Sequence, residues 1–186
     1  MKLSVLICTI SCRNIIYKQL ICHLEKQISL LPNDLINQVE IISSSDESIN
    51  IGQKRNLLLD KSVGDFIVFI DDDDTVCEDY LLSILKTIND NEGIDCIGIE
   101  GVITFNGQNL KKWYISIDYG SWFEKDNVYY RTPNHISPIK REIALKVKFP
   151  EIKFAEDFEY SKNIYPYLQK EAKINKSIYN YNYIDK

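Results

Sequence analysis

The chain reads as an α/β protein whose parallel sheet carries helices on its faces, and three observations predict this. Short apolar runs alternate with helical patterns from Leu3 to Ile88, as β-α-β-α-β-α. The run Phe66-Ile67-Val68-Phe69-Ile70 is unbroken and rich in Ile, Val and Phe, which suits a strand buried on both faces. It leads straight into Asp71-Asp72-Asp73-Asp74, at the strand's carboxyl end, where open α/β sheets hold their ligands.

Leu3 to Cys8 fits a buried first strand. Ile16, Leu20, Leu24 and Ile28 then recur at helical spacing, and Pro32-Asn33-Asp34 closes that helix. Val39 to Ile42 predicts a second strand, followed by the polar loop Ser43 to Ser48. A helix is expected from Ile51 to Leu59, opening at Gly52, and Gly64 turns the chain into the central strand. Tyr80, Leu81, Ile84, Leu85 and Ile88 mark one apolar helical face. Cys96 to Phe105 is strand-like and ends at Asn106-Gly107, a hairpin signal, with Lys111 to Ile117 as the returning strand. Helices are expected over Lys140–Val147 and Glu156–Ile164, broken by Pro150 and Pro166. Ile174 to Ile184 reads as a tyrosine-rich tail.

With 186 residues, 45% of them hydrophobic and 26% charged, the chain fits one ordinary globular domain with a sizeable core. A net charge of -5 argues against a nucleic-acid binder driven by phosphate neutralisation. Five cysteines, at 8, 12, 22, 77 and 96, form no CxxC pair and fit reduced thiols of a cytoplasmic protein. The opening apolar run is too short for a signal peptide, and no stretch approaches the ~20 apolar residues of a membrane span.

Four adjacent carboxylates cannot be packing. Two unit charges about 4 Å apart repel by about 4 kcal/mol at an effective dielectric near 20. Water, protonation, a basic neighbour or a divalent cation must offset that. In an extended segment, residues i and i+2 share a side, so Asp71 and Asp73 are expected on one face with Asp72 and Asp74 on the other. Mg²⁺-like cations prefer carboxylate oxygens and bridge to phosphates, which predicts a metal–phosphate site here. Gly52-Gln53-Lys54-Arg55 supplies the complement: a helix amino end with two cations suits an anion. Arg13 and Asp46 follow the first two strands onto the same rim. Glu156-Asp157 is either a favourable first helical turn or a general base with its neighbour. A lone histidine such as His135 is more often structural than catalytic. The aromatics from Trp113 to Tyr130 predict either an open stacking groove or plain core.

In this order, Thr9–Arg13, Asp46, Gly52-Gln53-Lys54-Arg55-Asn56, Phe69 to Asp74 and Glu156-Asp157 make the chain resemble family 2 glycosyltransferases of the GT-A fold. The resemblance implies a three-layer α/β/α sandwich. Its sheet would be mostly parallel and Rossmann-like, with a small antiparallel portion on the acceptor side. Residues 1–105 would bind the nucleotide sugar, and 106–186 would hold the acceptor and the catalytic base. It implies an inverting transferase that takes a nucleotide-diphosphate sugar, first of all a UDP-sugar, to a saccharide or other hydroxyl acceptor, with Mn²⁺ or Mg²⁺. By the same resemblance, Thr9, Arg13, Asp46, Gly52, Lys54, Arg55, Asp71 and Asp72 bind nucleotide, and Asp73 with Asp71 holds metal. Asp157 is then the catalytic base. Glu156, His135, Asn134 and Trp113 lie near the reacting sugars, and the segment through Lys140-Arg141-Glu142 approaches the acceptor. Relatives often carry a metal-binding histidine in the carboxyl-terminal segment; here Tyr179-Asn180-Tyr181-Asn182 offers Asn180 instead. The chain is near the short end for such folds, which implies an acceptor region that is either minimal or completed by another domain or subunit, such as an oligomer. The rival readings are a nucleotidyltransferase, disfavoured because no glycine follows the first strand, and a non-catalytic nucleotide- or sugar-binding module.

Overall fold

A computed structural model describes residues 1–184. The described residues form ten strands and five α-helices. The strands are β1 (Leu3–Cys8), β2 (Val39–Ser44), β3 (Phe66–Phe69), β4 (Thr75–Val76), β5 (Cys96–Phe105), β6 (Gln108–Ile115), β7 (Phe123–Lys125), β8 (Val128–Arg131), β9 (Ile139–Lys140) and β10 (Glu171–Tyr183). The helices are α1 (Asn14–Ser29), α2 (Ile51–Lys61), α3 (Tyr80–Asp90), α4 (Arg141–Val147) and α5 (Glu156–Ile164).

All ten strands join one sheet, ordered β2-β1-β3-β9-β5-β6-β8-β7, with β10 pairing β5 and β4. Parallel pairings carry most of the ladder: β1 with β2 and β3, β10 with β5, and β6 with β8. The antiparallel joins are short except for the β5–β6 hairpin. Asn106 and Gly107 turn that hairpin with φ of 52° and 74°, the left-handed values a two-residue type I′ turn demands.

Alternation along β1 sends Leu3, Val5 and Ile7 to one face and Leu6 and Cys8 to the other. The first face packs on α1 and α3 through Leu20, Leu24, Leu81, Ile84 and Leu85. The second packs on α2, α4 and α5 through Leu58, Leu59, Ala144, Tyr160 and Ile164. Three layers result, as expected. No helix among the described residues is long and apolar enough to cross a membrane.

Three local expectations are corrected. The tyrosine-rich tail is β10, thirteen residues long and registered from Glu171↔Cys96 to Tyr183↔Phe105. Register shifts between Lys173 and Tyr179 bury Ile178 and Tyr179 side by side, which breaks the period-2 pattern that would have announced a strand. Helix α2 opens at Ile51, not at the glycine. Asn50 caps it, with the Gln53 N–H donating to Asn50 Oδ1 and the Asn50 N–H to Gln53 Oε1. Gly52 is required for another reason: a Cβ there would lie 2.0 Å from the Pro150 carbonyl oxygen. Lastly, the chain from His135 to Lys140 runs antiparallel down β3. The Phe69 N–H donates to the His135 carbonyl, while Lys140 is paired with Phe66 at the strand's amino end. Lys140, Arg141 and Glu142 therefore sit at the opposite end of β3 from the aspartates and away from any acceptor there.

Candidate active site

The four aspartates form a turn, not an extended segment. The Asp74 N–H closes back on the Asp71 carbonyl at 3.1 Å. The predicted two-and-two facing gives way to three separate environments.

Asp71 accepts Arg55 Nη2 on Oδ1 at 3.1 Å, and His135 Nε2 lies 3.1 Å from Oδ2. Burial would raise this carboxyl, but the His135 ring and the Arg55 guanidinium outweigh it and hold the group well below the usual carboxylate range. Asp72 and Asp73 share Arg13, through Nη1 to Asp72 Oδ1 at 2.7 Å and Nη2 to Asp73 Oδ2 at 2.8 Å. Asp74 is buried and accepts the Tyr179 hydroxyl and the Asn182 N–H, each at 2.7 Å. Burial and the Asp71 charge push it up to about 8, against the opposing pull of those hydrogen bonds. Repulsion along the row is thus met by one arginine for the middle pair, by a second arginine and a histidine for Asp71, and by a raised proton affinity for Asp74.

Arg55 is only 4% exposed. Besides Asp71, its Nε donates to Glu156 Oε1 at 3.2 Å, and its plane lies over Phe69 and Phe149. It is the buried counter-ion of two carboxylates from distant segments and does not reach into solvent as an anion gripper. Lys54 is buried as well, with Nζ donating to the Thr9 carbonyl at 2.9 Å. The amino end of α2 faces Glu151, whose carbonyl accepts from Asn50 and whose carboxylate accepts from Gln53.

Asp157 stands in the first turn of α5 with its side chain 29% exposed, and His135 Nδ1 lies 3.9 Å from its Oδ2. His135 therefore spans Asp71 and Asp157. Ala155, which precedes the helix, has φ of 60°. That left-handed value costs an alanine roughly 1–2 kcal/mol, and it aims Glu156 inward at Arg55 and Asp157 toward the cleft.

Among the described residues, six buried side-chain polar atoms lack a hydrogen-bond partner. Four of them belong here: Arg55 Nη1, Asp72 Oδ2, Asn134 Nδ2 and His135 Nδ1. Native proteins rarely strand such atoms, and a ligand-binding cleft is a common reason. A cavity of about 170 Å³ touches Thr9, Arg13, Lys54, Asp71, Asp72 and Asp73. A second, of about 400 Å³, opens over the ends of β1 and β2 beside Thr9, Ser11, Tyr17 and Ser43.

The model of the family described as "Glycosyl transferase family 2" matches residues 26–152. The chain belongs to glycosyl transferase family 2. The succinoglycan biosynthesis protein ExoM of Rhizobium meliloti (strain 1021) is 38% identical over 72 residues, which are 39% of this chain and 23% of ExoM. The structure of residues 1–349 of S. aureus TarS matches with a TM-score of 0.72 at 20% identity, covering 98% of this chain and 60% of that one. TarS has also been solved with UDP and with UDP-GlcNAc. A197 from STIV matches at a TM-score of 0.55 and 17% identity, over 96% of this chain and 83% of that one. At such identities the likeness carries the fold, which is of GT-A type. This family 2 chain spans about a quarter of ExoM and three fifths of the TarS chain.

Within it, Thr9, Arg13, Asp71, Asp72, Asp73, His135, Asn134, Glu156 and Asp157 converge at the carboxyl end of β3. Asp46 remains outside this cluster, exposed on the loop after β2, where the Ser48 hydroxyl and N–H hold it below the usual carboxylate range. Trp113 is corrected from groove to core. It is 5% exposed, covers Gly101, and meets Tyr179 edge to face at 6.0 Å. Trp122, Phe123, Tyr129 and Tyr130 are partly exposed and form the open aromatic surface instead. Asn180 pairs with Thr75, donating to its hydroxyl, whereas Asn182 reaches the aspartate turn through Asp74 Oδ1 and the Asp73 carbonyl. Tyr179, Asn182 and Arg131 were missed. The signal for the first two was the spacing Tyr179-x-x-Asn182 in a polar segment, which becomes informative only once that segment is known to be a strand.

Proposed function

We propose that this chain is an inverting glycosyltransferase that moves a sugar from a nucleotide-diphosphate donor, first of all a UDP-sugar, to a hydroxyl acceptor with the help of Mn²⁺ or Mg²⁺. The observation that carries the reading is the placement of Asp157 within 3.9 Å of His135, itself 3.1 Å from Asp71, on the rim where Arg13 holds Asp72 and Asp73.

Among the described residues no three His, Cys, Asp or Glu side chains converge as a metal cage. That donor set fits a cation bound by one carboxylate together with substrate phosphates, the usual Mg²⁺ arrangement. Asp73 is the fitting ligand: Arg13 holds it through Oδ2, and its side chain is 28% exposed. Asp71 fits less well, because both its oxygens are engaged by Arg55 and His135. When bound, the cation supplies positive charge to the departing diphosphate.

The chain's own residues do the rest. Asp157 takes the proton of the acceptor hydroxyl as that oxygen bonds to the anomeric carbon. The bond from that carbon to the diphosphate oxygen breaks, and its electron pair leaves with the diphosphate. His135 holds its ring between Asp157 and Asp71, and Arg55 holds Glu156 and Asp71 in place behind them. Positioned proton transfer is typically worth about 10²–10⁴-fold.

The test is a thermal-shift screen of nucleotide sugars with and without Mn²⁺, followed by transfer assays. UDP at about 100 times its dissociation constant should stabilise by about 2.7 kcal/mol. The shift should be larger with Mn²⁺ than with EDTA, and Asp73→Asn should erase that difference. Asp157→Asn should keep the melting temperature and the UDP shift yet lose about 10²-fold or more in transfer. A metal-independent shift in the wild type would sink the metal role; full transfer by Asp157→Asn would sink the base.

A further inference from the structure

Among the described residues, each cationic side chain at this rim has an acceptor except one. Arg13 has Asp72 and Asp73, Arg55 has Asp71 and Glu156, and Lys54 has the Thr9 carbonyl. Arg131, the last residue of β8, has ring faces only. Its guanidinium carbon lies 4.6 Å from the centre of the Trp122 ring and 5.7 Å from that of Tyr129. Stacking uses the flat faces of a guanidinium and leaves its in-plane N–H donors free. Among the described residues no carboxylate forms an ion pair with it, and no side-chain hydrogen bond leaves it.

Its platform is rigid. The Trp122 indole N–H donates to both the Thr132 and Ser161 hydroxyls at 3.1 Å, and the Ser116 N–H donates to the Arg131 carbonyl. Its position is informative too. Thr132 to Asn134 lead from it directly to His135. Of the charges around it, Asp157 acts on it most strongly, followed by the Tyr181 hydroxyl, and Tyr181 in turn feels Asp71, Asp74 and Asp73. Burial works against the Arg131 charge, although a guanidinium stays protonated at any working pH. None of its nitrogens is among the buried unpartnered atoms of the described residues, so its donors stand open to an arriving ligand.

We propose that Arg131 is a phosphoryl seat: its free N–H donors receive the oxygens of a phosphate group that a substrate carries into the cleft between Asp157 and the aspartate turn. A planar fork matches phosphate with paired donors. The identity of the carrier rests on the glycosyltransferase reading. It is either the donor's diphosphate or a phosphate on the acceptor.

Titration calorimetry on the full chain with Mn²⁺ separates these, using UDP, UMP and glycerol 3-phosphate as probes and Arg131→Gln and Arg131→Lys as variants. For the donor source, Arg131→Gln weakens UDP by about tenfold or more, leaves UMP within about twofold, and Arg131→Lys recovers part of the loss. For the acceptor source, UDP is unchanged, and glycerol 3-phosphate binding to the UDP-loaded protein disappears in Arg131→Gln. Wild-type affinities for all three probes in Arg131→Gln would overturn the proposal. So would equal losses for UDP and UMP that follow a fall in melting temperature, since that is the mark of a packing role. A wild type that binds neither nucleotide refutes the glycosyltransferase reading. Glycerol 3-phosphate then decides alone: binding that needs Arg131 upholds the seat, and any other result removes it.

Discussion

Asp71 to Asp74 stand in a row, yet no two of them play the same part. Asp71 is locked between Arg55 and His135, Asp72 and Asp73 share Arg13, and Asp74 belongs to the packing of β10. The row and its position at a strand end were legible, because unbroken charge after an unbroken apolar run has few other meanings. The division of labour was not legible. It depends on a turn closed by one backbone hydrogen bond and on partners up to 109 residues away. Arg55 shows the same limit: beside Lys54 it resembles a basic patch, and only the fold reveals that both are buried. Removing one member of a buried ion cluster strands the others and costs about 3–5 kcal/mol. Arg55→Met should therefore destabilise the protein by about that much in urea denaturation, since Asp71 and Glu156 both lose their cation. A midpoint that barely moves would show that neither carboxylate depends on it.

Two elements join the site to the rest of the chain. Helix α2 brings Lys54 and Arg55 inward because Asn50 caps it and Gly52 lets Pro150 come close. Strand β10 begins with Glu171, whose carboxylate accepts the Ser116 hydroxyl at 2.6 Å and the Ile117 N–H at 2.9 Å, tying β10 to the end of β6. Burial raises the Glu171 carboxyl above the ordinary glutamate value of 4.5, while the Ser116 and Ile117 hydrogen bonds and Lys173 act the other way. The folded state thus holds this proton more tightly than the unfolded state does. Its contribution to stability is complete below 4.5 and is lost as pH rises through the raised folded value. In Glu171→Gln the decline in melting temperature just above pH 4.5 should be shallower than in the wild type, with the amide oxygen still accepting the Ile117 N–H and the amide NH2 donating to the Ser116 hydroxyl, which turns from donor to acceptor. An identical pH profile would show that Glu171 titrates as it does in the unfolded chain.

Across the whole molecule, the first half was readable almost element by element, because each βα unit buries its strand by local pattern. The carboxyl-terminal half was harder. Its sheet is held by pairings between distant segments, and β10 hides its alternation behind a register shift. Yet β10 lies along most of β5 and contributes Ile174, Ile178 and Tyr179 to the main core. A chain stopped after Lys170 should therefore lose cooperative thermal unfolding by circular dichroism, whereas a native-like transition would make β10 dispensable. The aspartate row was found because charge at a strand end is visible in one dimension. Arg131 was not, because its significance is the absence of a partner, which only three dimensions can show.

The buried trio of Asp71, Arg55 and Glu156 also constrains how this sequence can change over generations. Losing Arg55 alone leaves two carboxylates without their shared cation, so a single-step route through that residue passes through a weakened protein. Replacement requires two or three coordinated changes in segments separated by up to a hundred and one residues. Drift at the exposed loops is free to proceed around a trio that can be exchanged only as a set.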